Sequence, residues 1–276
     1  MNATYIADGA TLAYSDAGSG IPVVFLHPTP LDHDFWRPLT ADLAGVRAIA
    51  PDLRGHGASE LGALPAGGFD LVPDAPVLTM QRLAADVLTL LDHLNLPKAV
   101  FAGCSIGGYV LLEIWRQAPE RVRGLAFLCS KAQPDAPANR PRRAATIAQA
   151  RAGGCAALFD GMAQSLTGAS ARARQPEIVA QLRKRMTLTP EALTAVQAGL
   201  ATRPDSVPTI ATVSAPILAV AGGEDPGVTE AEMKAFQAAP GGCEFHLLPD
   251  AGHFAAYEQP RKMASLLAAW LRHLEA

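Results

Sequence analysis

The strongest constraint on the fold lies at residues 100–109, Val-Phe-Ala-Gly-Cys-Ser-Ile-Gly-Gly-Tyr. An apolar run ends in Gly-x-Ser-x-Gly, and an amphipathic run from Tyr109 to Gln117 follows. Strand, tight turn and helix in that order present a serine as a nucleophile. The glycines have a mechanical reason: a turn this sharp strains the serine backbone, and bulky neighbours on either side clash. The turn lifts the Ser105 hydroxyl out at the strand end. The helix that follows aims its free N–H groups and positive dipole end at the same spot.

Other segments set the sheet around this turn. Ile21–Leu26 is a continuous apolar run of the kind buried on both faces of a parallel sheet. The spacing predicts further strands at 11–15, 46–50, 98–102, 122–129, 215–221 and 244–248. Helices are expected at 34–43, at 79–94 with Thr79 as cap, at 229–239 and at 261–273. Strands alternating with helices predict an α/β fold with a doubly wound, mainly parallel sheet. Residues 60–77, rich in Gly, Pro and Ala, read as a surface excursion. From 133 to 213 no buried-strand pattern occurs, and helical segments are punctuated by glycine and proline. The expected organisation is a core at 1–132, an inserted helical lid at 133–213, and the rest of the core at 214–276.

A serine hydroxyl needs a base, and the base needs an acid to hold its tautomer. In an open α/β sheet such groups collect beyond the carboxyl ends of the strands. Among the seven histidines, His93 and His273 fall on expected helices, His246 lies in a strand, and His33 precedes a helix. His27, His56 and His253 remain on strand-end loops. His253 follows the last strand and is the candidate base. His27 and His56 are read as structural, bonding the loops that frame the site. Glu224 and Asp225, after strand 215–221, are the acid candidates, and spacing alone does not separate them. The N–H of Ile106 and an N–H from the loop after Ile21–Leu26 are the expected oxyanion donors. Pro28 and Pro30 carry no N–H, which leaves Thr29. Trp36 and Tyr109 are candidate substrate contacts, Trp36 being equally suited to the core. The arginines of 133–213, including Arg140, Arg142 and Arg143, are candidates to meet a substrate carboxylate, but solvated surface is the favoured reading.

With 49% apolar and 18% charged residues, the chain has enough apolar matter for a substantial core. A net charge of −3 gives no pull towards nucleic acid. The four cysteines are scattered without metal-ligand spacing, so buried free thiols are expected, Cys104 among them. No apolar run approaches the roughly 20 residues of a membrane span, and no secretory leader pattern opens the chain. A cytoplasmic protein with no membrane or nucleic-acid partner and no metal or organic cofactor is expected. A homo-oligomer is compatible with the sequence.

Together, His27-Pro28-Thr29-Pro30, residues 51–59 (Pro-Asp-Leu-Arg-Gly-His-Gly-Ala-Ser), residues 103–108, Gly222-Gly223-Glu224-Asp225 and Gly252-His253 resemble the α/β-hydrolase fold serine hydrolases. The likeness runs from about Val23 to the C-terminus, and is greatest to the small esterase, enol-lactonase and cofactor-free haloperoxidase-like group. It implies the α/β-hydrolase fold and a triad of Ser105, Asp225 and His253, the aspartate of the Gly-x-x-Asp loop falling on Asp225. Pro28 stands where the family's His-Gly-x-x oxyanion motif has glycine, while the donor position remains Thr29. Hydrolysis of a small carboxylic ester or lactone through an acyl-enzyme is the activity implied. The alternatives are a perhydrolase or haloperoxidase-like reaction on the same triad, with peroxide replacing water, and a ligand-binding homologue without catalysis.

Overall fold

The computed structural model of the chain describes residues 3–274. Eight strands form one sheet in the order β1-β2-β4-β3-β5-β6-β7-β8. They are β1 (Ala3–Ala7), β2 (Ala10–Gly18), β3 (Ile21–Leu26), β4 (Val46–Pro51), β5 (Ala99–Cys104), β6 (Val122–Leu128), β7 (Ile217–Gly222) and β8 (Cys243–Leu248). The pairs β1–β2 and β2–β4 are antiparallel. From β4 across to β8 every pair is parallel, so the carboxyl ends of six strands share one edge. Strands β5 and β7 are buried at every residue, as their unbroken apolar runs require of a sheet covered on both faces.

Short helix α1 (Arg37–Thr40) follows a 3-10 turn, His33–Trp36. Helix α2 (Met80–His93) is capped by Thr79, whose hydroxyl accepts the N–H of Arg82, and it packs beside α3 (Ile106–Gln117). Between β6 and β7 the chain forms α4 (Arg140–Gly153), α5 (Ala156–Leu166), α6 (Ala169–Arg174), α7 (Ile178–Lys184), α8 (Pro190–Ala201) and α9 (Val207–Ile210). Helix α10 (Glu230–Lys234) precedes β8, and α11 (Ala255–Glu258) and α12 (Pro260–His273) close the described chain.

Two expectations need correction. The strand at 11–15 is the inner part of a hairpin, β1–β2, and the alternating exposed and buried residues of β1 form the open edge. The excursion at 60–77 is more than surface. Phe69, Val72, Ala75 and Val77 are buried against Ile147 of α4 and Ala198 and Ala201 of α8. The N–H of Leu78 bonds the carbonyl of Ala195, which ties this stretch to α8. Glycine and proline hide the four apolar residues because they break every period a strand or helix would show.

Deeper in the core, Arg54 and Asp86 form a two-pronged ion pair at 2.7 and 2.8 Å, with 1% and 5% of the side chains exposed. Arg54 also donates to the carbonyls of Ala7 and Leu61. The pair therefore joins the loop after β4 to α2 and to the hairpin edge. Removing one partner strands the other charge in a dry site, at about 3–5 kcal/mol. Asp86→Ala should lose about that much stability in a denaturant titration. A loss under about 1 kcal/mol contradicts the role given to the pair.

Candidate active site

Ser105 caps α3 with φ 53° and ψ −116°, a left-handed conformation that a non-glycine residue adopts only under constraint. The constraint is crowding. A side chain on Gly107 would lie 2.2 Å from the carbonyl oxygen of Leu26, and one on Gly103 would meet the backbone of Gly107 at 2.5 Å. The first turn of α3 is thus pressed against β3 and β5, and Ser105 absorbs the bend. Its carbonyl accepts the Ser130 hydroxyl at 2.8 Å. Ser130 carried no sequence signal, since one serine after a strand is unremarkable.

His253 lies in the loop after β8, as expected. Its Nδ1–H donates to Oδ2 of Asp225 at 2.8 Å, with 8% and 0% of the two side chains exposed. The other oxygen of Asp225 accepts the N–H groups of Gly227 and Val228 at 2.8 and 3.2 Å. With Nδ1 protonated, the neutral ring keeps a lone pair on Nε2. Glu224 faces elsewhere and accepts the hydroxyl and N–H of Ser170 at 2.5 and 2.9 Å. Those bonds hold its carboxyl below the usual range. Of the two acid candidates, Asp225 is therefore the one that bonds His253.

The loop carrying His253 is fixed on all sides. Its own N–H donates to the carbonyl of Leu166, and the Cys104 and Cys129 thiols lie 3.6 and 3.5 Å from the carbonyls of His253 and Gly252. Both thiols are fully buried and pushed far up by desolvation, so each acts as a packed weak donor. Glu258, buried on α11, accepts the N–H groups of Gly252, Phe254 and Gly168 at 2.7, 3.2 and 3.2 Å. Gly168 lies between α5 and α6, and a side chain on Gly252 would lie 2.3 Å from its nitrogen. Nothing in the sequence marked Glu258, because its partners are backbone groups from two separate segments.

Thr29, Ser105, Tyr109 and His253 line one cavity of about 170 Å³. Asp225 stands behind His253. Ile106 is fully buried at the start of α3, and among the described residues its N–H and that of Thr29 enter no hydrogen bond. Trp36 is a correction: it does not reach this cavity. The 3-10 turn at 33–36 folds it inward, where its ring packs 5.3 Å from Phe25 and 4.9 Å from Phe35. Arg143 is a second correction. It lines the cavity, half-buried, and donates to Asp135 and Gln197. Among the described residues no group of three His, Cys, Asp or Glu side chains is arranged to hold a metal ion, and no helix is long and apolar enough to cross a membrane.

A model described as the alpha/beta hydrolase family matches residues 23–266. The chain belongs to the alpha/beta hydrolase family. It is similar to 3-oxoadipate enol-lactonase 1 of Acinetobacter baylyi, at 26% identity over 92% of this chain and 89% of that one. The structure resembles that of a thermophilic esterase from Thermogutta terrifontis, with a TM-score of 0.89 and 31% identity over the full length of both chains. A non-heme chloroperoxidase of Streptomyces lividans is 39% identical over 44% of this chain and 42% of its own. Several curated relatives match this hydrolase over less than half of their own length.

In this alpha/beta hydrolase the other two strand-end histidines are structural. His27 donates through Nδ1 to the carbonyl of Pro28 and accepts the N–H of Leu53 on Nε2. His56 donates through Nδ1 to the carbonyl of Arg54, and its Nε2 accepts the Thr29 hydroxyl at 3.0 Å. Burial pushes His27 down to about 3 and His56 to about 4. Both are neutral in the fold at pH 7, while in the unfolded chain each titrates near 6.5. Below about pH 6.5 the unfolded state binds more protons, so stability is lost as pH falls towards 4 and then 3. The melting temperature should therefore fall from pH 6.5 to 5. His56→Gln removes one of the two titrating rings and should make that fall shallower; an unchanged slope contradicts the assignment.

Proposed function

We propose that this protein is a carboxylic ester hydrolase, acting on small esters or lactones through an acyl-enzyme on Ser105. The observation that carries the reading is the buried His253–Asp225 pair at 2.8 Å opening on the same cavity as a serine held at φ 53°. Ser105 attacks the carbonyl carbon while Nε2 of His253 takes the hydroxyl proton. Asp225 holds the ring tautomer and stabilises the imidazolium. The N–H groups of Thr29 and Ile106 receive the oxyanion, each such donor being worth about 3–4 kcal/mol of barrier. His253 returns its proton to the leaving oxygen, and water then releases the acyl group by the same steps reversed.

The Thr29 loop suits an oxyanion donor because His56 holds its side chain from below and His27 holds the carbonyl of Pro28. The helices of 133–213 act as a lid that shapes the substrate, since Asp135, Arg143, Met162, Leu166, Gln197 and Arg203 all line the cavity. The esterase and enol-lactonase likenesses support hydrolysis of an ester or lactone. The chloroperoxidase likeness keeps peroxide as a competing acceptor, to be tested by comparing peracid formation with hydrolysis of one acyl donor.

On short-chain aryl esters, Ser105→Ala should lower kcat at least about 1,000-fold, and Asp225→Asn, which leaves the ring in the wrong tautomer, about 10,000-fold. Ser105→Ala turnover within tenfold of wild type overturns the reading.

A further inference from the structure

The wall of the cavity facing Ser105 carries more positive charge than the protein neutralises. Arg143, on α4, donates to Asp135 through Nε and Nη2 at 2.5 and 2.9 Å and to Gln197 through Nη1 at 2.8 Å. Arg203, just past α8, donates through Nη1 to the same Asp135 at 3.1 Å and to the carbonyl of Leu200 at 3.0 Å. Its guanidinium carbon lies 4.6 Å from the centroid of the Tyr109 ring. Tyr109 is one turn along α3 from Ser105, so the stack places Arg203 beside the nucleophile's helix. Only 4% of the Arg203 side chain is exposed. Burial raises the Asp135 carboxyl, but Arg143, Arg203 and Asn139 outweigh it and hold the group below its ordinary range. Asp135 is therefore an anion shared by two guanidiniums, and one positive charge remains.

Arg142 adds another at the rim. It lines the cavity, is exposed, and has no ion-pair partner among the described residues. Other arginines of the same segment do meet acids: Arg140 pairs with Asp70, Arg151 with Asp74, and Arg183 with Asp160. Lys131, also on the wall, is already held by Glu232 and the carbonyl of Gly227. Among the described residues Nη2 of Arg203 makes no hydrogen bond to the protein. Arg203 and Arg143 share one counterion in a nearly dry wall, and a neutral acyl chain in this space leaves the surplus charge unmatched.

We propose that the cavity takes an ester or lactone that bears a second, free carboxylate, with Arg203 and Arg142 receiving that carboxylate while the scissile carbonyl lies at Ser105. The inference rests on the serine hydrolase reading for its chemistry and on the arginine cluster for its substrate class. A planar, forked guanidinium matches a carboxylate in geometry as well as charge. The cavity, at about 170 Å³, suits a short chain, such as the monoester of a four- to six-carbon diacid.

The test compares the monophenyl ester of adipic acid with the phenyl ester of its monoamide, nearly the same shape without the charge. Wild-type kcat/KM should favour the acid at least about tenfold, the worth of a charge-assisted hydrogen bond. Arg142→Gln, at an exposed position, and Arg203→Lys, which keeps the charge, should each cut that ratio about threefold or more. Equal rates on the two esters, or a ratio that both folded variants leave unchanged, overturn the inference while the hydrolase reading stands. Binding is measured separately, by calorimetry on the Ser105→Ala protein with adipate and its monoamide. Adipate bound at least about tenfold more tightly supports the carboxylate site even if the wild type hydrolyses neither ester, in which case the hydrolase reading alone fails. Equal affinity counts against the site.

Discussion

The close approach of α3 to β3 and β5 governs the arrangement of this molecule. The carbonyl oxygen of Leu26 occupies the place of a side chain on Gly107, so the helix begins with no room to relax. Ser105 takes up the bend at φ 53°. A residue in that conformation persists only where its surroundings over-determine it. Here the neighbours are the carbonyl ends of β3 and β5, the hydroxyl of Ser130 and the first turn of α3. The proposed base and oxyanion loop are set by what the same sheet edge brings near: the loop after β8 supplies His253, that after β7 supplies Asp225, and that after β3 supplies Thr29.

The segment between β6 and β7 does more than cover this edge. Its 166–170 stretch bonds the loop of His253 through the carbonyl of Leu166, Glu258 of α11 through Gly168, and Glu224, in the loop after β7, through Ser170. If His253 is the base, as proposed, this contact ties the placement of the base to the segment that lines the cavity. Its other end, with Asp135, Arg143 and Arg203, sets the charge of the cavity. Residues 60–77 brace it from outside through the apolar cluster under α4 and α8. The segment is thereby pinned at two places and lines the cavity between them.

Much of this was legible in the sequence because parallel sheets write themselves as apolar runs followed by loops. The runs of β3, β5 and β7 carry such patterns, and the residues just beyond them are the ones that meet at the edge. Asp225 and Glu224, adjacent in sequence, differ only in direction, and no spacing argument reports which way a loop turns. Trp36 was ambiguous for the same reason, since an aromatic near the site and one beneath it share a pattern. Glu258 and Ser130 left no trace because their partners are backbone groups, which are the same at every position. The arginines of 133–213 read as solvated because their one shared acid, Asp135, lies 8 residues from Arg143 and 68 from Arg203, and only the fold brings the three together.

The central claim is that Ser105 is a nucleophile activated in place. Its most direct measurement is covalent capture: the native protein is treated with a fluorophosphonate and the adduct located by mass spectrometry of its peptides. One stoichiometric adduct, on the peptide containing Ser105 and lost in a His253→Ala variant, is the predicted result. An unmodified Ser105, or an adduct on another residue in protein that still hydrolyses esters, contradicts the account.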